Sequence, residues 1–169
     1  MAINTLDEKF SHEVGDIYDA EHRFLEGQQK MLQNASNPLL QTMIQEHITQ
    51  TQQHIQNLDQ VFSLLGQKPK RVACDAAQGL VSEGEKGMKE SSANPQIRDT
   101  LIAGTADKVE HYEIASYRGL ITGAELMGQS EIVTLLRRNL QQEEQTSQKI
   151  EQTMPQLLQA AMSVQQAGH

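Results

Sequence analysis

The chain has 169 residues, the size of one ordinary domain and enough to bury a substantial core. Its formal net charge of −8 argues against nonspecific nucleic-acid or anionic-membrane partners, because both need clustered Lys and Arg. Trp is absent and aromatic residues make up 4%, so the apolar content is mainly aliphatic and favours an all-helical fold.

Several features of the sequence favour a soluble cytoplasmic protein. No run reaches the roughly 18 apolar residues that a membrane span needs, and residues 1–10 lack the basic and then apolar pattern of a secretory signal. Cys74 is the single cysteine, which excludes an internal disulfide and is compatible with a reducing compartment. We expect Cys74 to be a small buried residue without special reactivity.

Helical spacing of apolar residues, interrupted by Gly and Pro, predicts five helices in chain order. They cover about residues 5–33, 38–65, 75–90, 96–127 and 130–163. Asn37 and Pro38 have the residue types of an N-cap and a first helical position, and Gly128 is placed to end the fourth helix. We expect Pro155 to kink the last helix or to end its regular part.

The order of these helices predicts a single domain over residues 1–169. Two long helical hairpins are joined by about 29 residues, from Gly66 to Asn94, and this connection contains the short third helix. Short loops make the helices of each hairpin antiparallel neighbours, and bundles with one long crossover have this layout. We therefore predict an all-α four-helix bundle of two antiparallel hairpins, with a short fifth helix in the crossover.

Polar residues lie on helical stripes that the bundle should bury, where an apolar residue would cost less free energy. They are Glu21, His54, Glu110, Glu113 and Glu143. Glu21 and His54 are 33 residues apart, as are Glu110 and Glu143, and the second pair is the first displaced by 89. Chain reversal in each hairpin brings the members of each pair within about one helical turn of each other.

These groups would then meet at one level of the bundle, with every long helix contributing. A single glutamate on such a stripe is more often a rim residue whose carboxylate reaches water. Four buried carboxylates, in contrast, need cations, because each unpaired buried ion costs several kcal/mol. Two divalent ions would neutralise them, and carboxylates with one imidazole favour iron or manganese over a structural zinc.

The remaining histidines and tyrosines near these positions have simpler interpretations. His47 is seven residues from His54, about 10 Å along a helix, so we predict that it lies outside the site. Residues 22 and 111 are histidines that follow candidate ligands, and we expect them on outer faces. Tyr18 and Tyr117 lie one turn from candidate ligands and are predicted either to donate hydrogen bonds to them or to fill the core.

Three segments carry a resemblance to a known family. The run from Lys108 to Tyr117, KVEHYEIASY, the run from Asp16 to Glu21, DIYDAE, and the crossover run from Lys70 to Leu80 resemble the YciE/YciF-like bacterial family of ferritin-like stress proteins. The resemblance extends over nearly the whole chain. It implies a rubrerythrin-like, ferritin-like bundle that forms a homodimer, is made under stress and carries a two-metal site.

The resemblance also implies a contribution to this site from the second helix near Gln50 and His54. Family members commonly have Glu at the position of Gln50, and the neutral amide in this chain removes one bridging charge. A weaker, asymmetric or single-metal site is therefore an open alternative. The other implied ligands coincide with the buried glutamates found from the spacing.

Two functional hypotheses from different classes follow. The first is a cytoplasmic metalloprotein with two iron or manganese ions, iron being favoured, that acts as a peroxidase or oxidase on peroxide or dioxygen. The second is a non-catalytic dimeric interaction protein whose metal site is degraded or structural. Iron storage in a shell is a third and weaker hypothesis, because a single sequence does not reveal a cage.

Overall fold

The computed structural model describes residues 3–167, so residues 1, 2, 168 and 169 of the predicted domain lie outside the described part. Within that part the chain is all-α, as predicted, and no strand occurs between residues 3 and 167. The helices are α1 (Leu6–Asn34), α2 (Pro38–Leu64), α3 (Asp75–Glu90), α4 (Pro95–Leu126) and α5 (Ser130–Ala167).

Local capping interactions fix where the helices begin and end. Thr5 and Glu8 form a reciprocal capping box at the start of α1, and Asn37 accepts backbone N–H bonds at the start of α2. Gly66 and Gly128 adopt φ values of 67° and 69° directly after the α2 and α4 hairpin helices. Only glycine takes this left-handed conformation without steric cost, which explains why α2 and α4 end here and why the chain can reverse at Gly128 between α4 and α5.

The long helices form the two predicted hairpins, α1 with α2 and α4 with α5. The hairpins pack together through α1 on α4 and α2 on α5, while α3 lies against α1 and α4. Apolar side chains form two clusters, one around Phe10, Phe62 and Leu136 and the other around Leu40 and Ile102. A layer of buried polar side chains lies between these clusters, at mid-height in the bundle.

The crossover is attached to α1 by a buried carboxylate. Asp19 accepts hydrogen bonds from Arg23 Nε at 2.5 Å, Arg71 Nε at 2.7 Å and the Cys74 backbone N–H at 2.9 Å. Burial alone would raise the pKa of Asp19, but these hydrogen bonds outweigh it and hold the pKa below its usual range. Cys74 is buried and caps α3, so the expectation of an inert structural cysteine agrees with its surroundings.

Helix α5 continues through Pro155 to Ala167, a few residues beyond the predicted end at about residue 163. Of the two effects expected of Pro155, an end of the regular helix does not occur. Leu157 and Ala161 follow the proline and are buried, so packing of this last segment offsets the hydrogen bond that proline cannot donate. Among the described residues, no helix has the length and apolarity required to cross a bilayer.

Gly15 makes the closest approach between α1 and the crossover. Its carbonyl oxygen accepts a hydrogen bond from the Val72 N–H at 3.0 Å, and a Cβ at this position would lie 2.6 Å from Val72 Cγ2 and 3.0 Å from the Lys70 carbonyl oxygen. A side chain larger than hydrogen therefore cannot fit without moving the crossover away from α1.

We expect Gly15→Val to lower the free energy of unfolding by about 2 kcal/mol, the typical cost of overpacking. Urea denaturation followed by circular dichroism measures this change. Gly119→Val on α4 is the matched control, because a Cβ there meets nothing within 4 Å. Equal changes in the two variants would contradict the proposed close packing at Gly15.

Candidate metal centre

Six ionisable side chains meet in the buried layer, and every long helix contributes. Glu21 comes from α1, two histidines from α2, Glu110 and Glu113 from α4, and Glu143 from α5. The glutamates are 0–1% exposed. The two histidines are His47, 5% exposed, and His54, 0% exposed. We call these six residues the carboxylate–histidine cluster.

The cluster consists of two groups that share one glutamate. In the first, His47 Nε2 lies 2.9 Å from Glu110 Oε1 and 3.8 Å from Glu143 Oε2, and Glu113 completes the group. In the second, His54 Nδ1 lies 2.8 Å from Glu143 Oε1 and 3.4 Å from Glu21 Oε1. Glu143 therefore presents one carboxylate oxygen to each group.

A glutamine orients each imidazole. Gln50 Oε1 lies 3.2 Å from His47 Nδ1, and Gln142 Oε1 lies 2.7 Å from His54 Nε2. Because an amide oxygen only accepts hydrogen bonds, these outer ring nitrogens carry the proton in the neutral imidazole. The inner nitrogens then direct a lone pair toward the carboxylates, which is the tautomer that a metal ligand requires.

A hydrogen-bonded chain from α4, α5 and α2 positions Glu21. The Tyr117 hydroxyl donates to Glu21 Oε1, and Asn139 Nδ2 donates to the same hydroxyl oxygen at 3.0 Å. Asn57 in turn donates to Asn139 Oδ1 at 2.6 Å. Burial, and then the neighbouring carboxylates, raise the pKa of Tyr117 well above its usual range, so its hydroxyl keeps the proton that it donates.

Most atoms of the cluster that face its centre lack a hydrogen-bond partner, although buried polar groups normally have one. These atoms are Glu21 Oε2, His47 Nε2, His54 Nδ1, Glu110 Oε2 and both carboxylate oxygens of Glu113 and Glu143. Four carboxylates carry a formal charge of −4, which two divalent cations balance. Oxygen ligands with one imidazole in each group are a donor set that suits iron or manganese, so the residues fit the expected metals.

Without cations the cluster is predicted to hold protons instead. Burial raises the pKa of Glu110 to about 8 and that of Glu143 to about 7, and the charge of His54 opposes only part of each rise. Burial, together with the carboxylates of Glu143, Glu21 and Glu110, raises the pKa of Glu113 well above its usual range. Burial alone would lower the pKa of His54, but Glu21 and Glu143 raise it.

The structure brings together all five residues that the sequence singled out as metal ligands. His47 also belongs to the cluster, so the prediction from axial spacing that it lies outside is wrong. The prediction assumed that the ligands meet at one level, whereas the cluster extends along the bundle axis and the His47 and His54 ring centroids are 6.5 Å apart. The sequence pattern could have identified His47, because it lies on the same buried stripe of α2 as His54.

Of the two tyrosines predicted to donate hydrogen bonds to ligands or to fill the core, only one contacts the cluster. Tyr117 contacts Glu21, as expected, whereas Tyr18 donates to Asp59 Oδ1 at 2.8 Å because its side chain points toward α2 near Phe62. Gln50 lies behind His47 and contacts Thr146 as well. The histidines at 22 and 111 lie outside the cluster, half-buried and exposed respectively.

Comparisons with known proteins agree with this architecture. A family model described as a domain of unknown function, DUF892, matches residues 5–163. Protein YciF of Escherichia coli strain K12 is 34% identical over 151 residues, which cover 89% of this chain and 90% of YciF. The crystal structure of the E. coli stress protein YciF superposes with a TM-score of 0.87 at 32% identity, covering 93% of this chain and 99% of that one.

Two further solved structures are similar. YcfI from Rhodopseudomonas palustris superposes with a TM-score of 0.85 at 38% identity, covering 88% of this chain and 94% of that chain. A protein from Xanthomonas campestris pv. campestris, at 21% identity and a TM-score of 0.77, shares the fold and covers 96% of this chain and 99% of that one. On the family match and the identity to YciF, the chain belongs to the DUF892 family of YciF-like proteins.

Proposed function

We propose that this protein is a stress-associated metalloprotein that binds two divalent ions, iron in preference to manganese, and reacts with peroxide or dioxygen. The observation that carries the proposal is the set of buried oxygen and nitrogen atoms without partners, arranged in two groups that share Glu143. Leaving such atoms uncompensated would cost several kcal/mol for each charge. Cations in both groups remove that cost.

The chain's own residues would have distinct roles in this function. His47, Glu110 and Glu113 would hold one ion, Glu21 and His54 would hold the other, and the Glu143 carboxylate belongs to both groups. A redox-active metal bound there would supply electrons for the reduction of a small oxidant. The apolar clusters on either side exclude bulk water from the site, and Tyr117 keeps one oxygen of Glu21 hydrogen-bonded.

The family relationship supports the biological part of the proposal. One relative with 32% identity and nearly complete coverage is described as a stress protein. We extend that association to this chain, and we also propose that it is cytoplasmic and forms a homodimer.

Light scattering of the purified protein measures the number of subunits in the oligomer. A shell of many subunits, instead of a dimer, would favour iron storage.

A non-catalytic structural role is the second candidate, and the raised pKa values favour it. Because the pKa of Glu110 rises to about 8 and that of Glu143 to about 7, protons can replace part of the cationic charge near neutral pH. The protein can then keep its fold without metal. Metal-loaded protein that consumes neither peroxide nor dioxygen faster than free metal would support this candidate over the catalytic one.

The shared position of Glu143 predicts unequal losses of metal among variants. We expect wild-type protein purified without chelator to bind two metal ions per chain, Glu143→Ala to lose both and Glu21→Ala to lose one. Elemental mass spectrometry against protein concentration measures these ratios. Glu144→Ala is the matched control, because the neighbouring Glu144 is exposed and pairs with Arg118. Two metal ions per chain in Glu143→Ala would contradict the assignment of Glu143 as a ligand shared by both groups.

Competition between protons and metal predicts opposite pH trends for the two forms. In metal-free protein the pKa of Glu110 rises from 4.5 to about 8 on folding, so its contribution to stability is fully present below pH 4.5 and is lost as the pH rises through about 8. Metal binding requires the deprotonated carboxylate and therefore strengthens over the same range.

Thermal unfolding at several pH values, with and without metal, tests these trends. The stabilisation that metal adds should increase from pH 4.5 to about 8 and then level off. A metal-induced shift in Tm that stays constant across this range would contradict the assignment of protonated carboxylates to the metal-free cluster.

A further inference from the structure

A second group of metal-ligating side chains lies on the surface of the α4–α5 pair, outside the carboxylate–histidine cluster. It consists of Asp107 and His111 of α4 and Glu151 of α5, which each offer one ligand atom within 4.8 Å of the others. The side chains of His111 and Glu151 are 58% and 59% exposed, and that of Asp107 is 31% exposed. We call these three residues the surface triad. A dissolved ion can reach it without any movement of the helices.

The imidazole of His111 is oriented as a metal ligand. Its Nδ1 lies 2.9 Å from the backbone carbonyl oxygen of Asp107. Because a carbonyl oxygen only accepts hydrogen bonds, Nδ1 carries the proton in the neutral imidazole and Nε2 keeps a lone pair. This Nε2 lies 3.9 Å from Glu151 Oε1. Two ligand atoms that each lie about 2.1 Å from one ion are about 3–4 Å apart, so this pair needs little adjustment to hold an ion.

The two carboxylates of the surface triad have no basic partner. Among residues 3–167, no Lys or Arg side chain forms an ion pair with Asp107 or Glu151. The nearest basic residues in sequence, Lys108 and Lys149, instead form ion pairs with glutamates of α3 and α2. Two carboxylates and a neutral imidazole carry a formal charge of −2, which one divalent cation balances. Their donor atoms are of the same types as those of the buried cluster and suit the same ions.

A polar layer in the seam between α4 and α5 links the surface triad to the buried ligands. The buried Ser147 side chain donates a hydrogen bond to Asp107 Oδ1 at 3.2 Å. Asp107 precedes Glu110 by three residues on α4, and Ser147 follows Glu143 by four residues on α5. Residues at these spacings share a helix face and lie about one turn apart. The contact between Asp107 and Ser147 is therefore the next polar layer along the seam from Glu110 and Glu143.

We propose that the surface triad binds a divalent cation and is the entry site from which ions reach the first ligand group. The inference rests on the proposed function and extends it, because it names where the buried cluster is loaded. Three protein ligands leave coordination positions to water, so an ion on the surface triad remains exchangeable. Asp107 and Ser147 offer oxygen atoms between the surface and the buried carboxylates.

Crystals of metal-free wild-type protein soaked in manganese(II) test whether the surface triad binds a cation. Anomalous scattering locates an ion there separately from any ion in the buried cluster. We expect a peak between His111 Nε2 and the Glu151 carboxylate. The same soak of the double variant His111→Gln/Glu151→Gln should give no peak at this position. An empty surface triad in the wild type, or an equal peak in the double variant, would overturn the inference.

The rate of metal uptake in solution tests the role in entry. Metal-free protein is mixed with manganese(II) in a stopped-flow instrument, and a fluorescent indicator follows the free ion. We expect the double variant to load the buried cluster about tenfold more slowly, because the charges that concentrate ions at the seam are lost. Its final content of ions in the buried cluster should equal that of the wild type. Both replaced side chains are exposed, so the variant should fold normally.

A second double variant provides the matched control for uptake. His12→Gln/Glu144→Gln makes the same two changes of residue type at exposed positions outside the surface triad. It should load the buried cluster as fast as the wild type. Equal uptake rates in the wild type and in His111→Gln/Glu151→Gln, or an equal slowing in both double variants, would overturn the entry role.

The two proposals fail in distinguishable ways. If no ion reaches the buried cluster of the wild type, the proposed function fails, and the soaked crystals still decide whether the surface triad binds a cation. If the buried cluster fills equally fast in the wild type and in His111→Gln/Glu151→Gln, the buried metal site stands and the entry site fails.

Discussion

Four carboxylates, from three of the long helices, are buried together in the middle of the bundle. Taken alone, such charges would repel one another and lose their hydration, at a cost comparable to the whole stability of a domain of about 5–15 kcal/mol. The two apolar clusters above and below the layer provide the burial that keeps the helices together. The polar layer itself is stable only with protons or cations among its carboxylates.

The surrounding residues reduce the freedom of the ligands before any ion arrives. Two glutamines hold the outer nitrogens of the histidines, and the chain of Asn57, Asn139 and Tyr117 holds Glu21. Ligands fixed in this way lose less conformational entropy on binding, which favours affinity and a defined geometry. The crossover, attached through Asp19, lets α3 cover α1 and α4.

Much of this arrangement could be predicted from the sequence because it follows from periodicity and local chemistry. Apolar spacing, the Asn37–Pro38 start signal and Gly128 locate the helices to within a few residues. The buried glutamates stand out because a polar residue on a buried stripe requires an explanation. Whether Pro155 ends the regular part of α5 could not be decided in this way, because packing of Leu157 and Ala161 overrides the local effect of proline.

The positions of some side chains could not be predicted from the sequence. They depend on how side chains from neighbouring helices point toward each other, and residue spacing along one helix gives no information about this. His47 was wrongly excluded because axial distance between backbones ignores how far two imidazoles reach toward one ligand, Glu143. Tyr18 was placed one turn from Glu21, yet its hydroxyl meets Asp59 on the neighbouring helix. A mostly apolar pocket beside Gln28 is lined by residues of all five helices, so no single segment of the sequence indicates it.

Anomalous X-ray scattering from crystals of protein purified without chelator shows whether cations occupy the buried carboxylate–histidine cluster. Data collected on both sides of the iron and manganese absorption edges locate each ion and identify its element. We expect two anomalous peaks inside the bundle, one beside His47 and Glu110 and one beside His54 and Glu21, with Glu143 between them. Well-ordered crystals with no anomalous peak at either position, even after incubation with the metals, would contradict it.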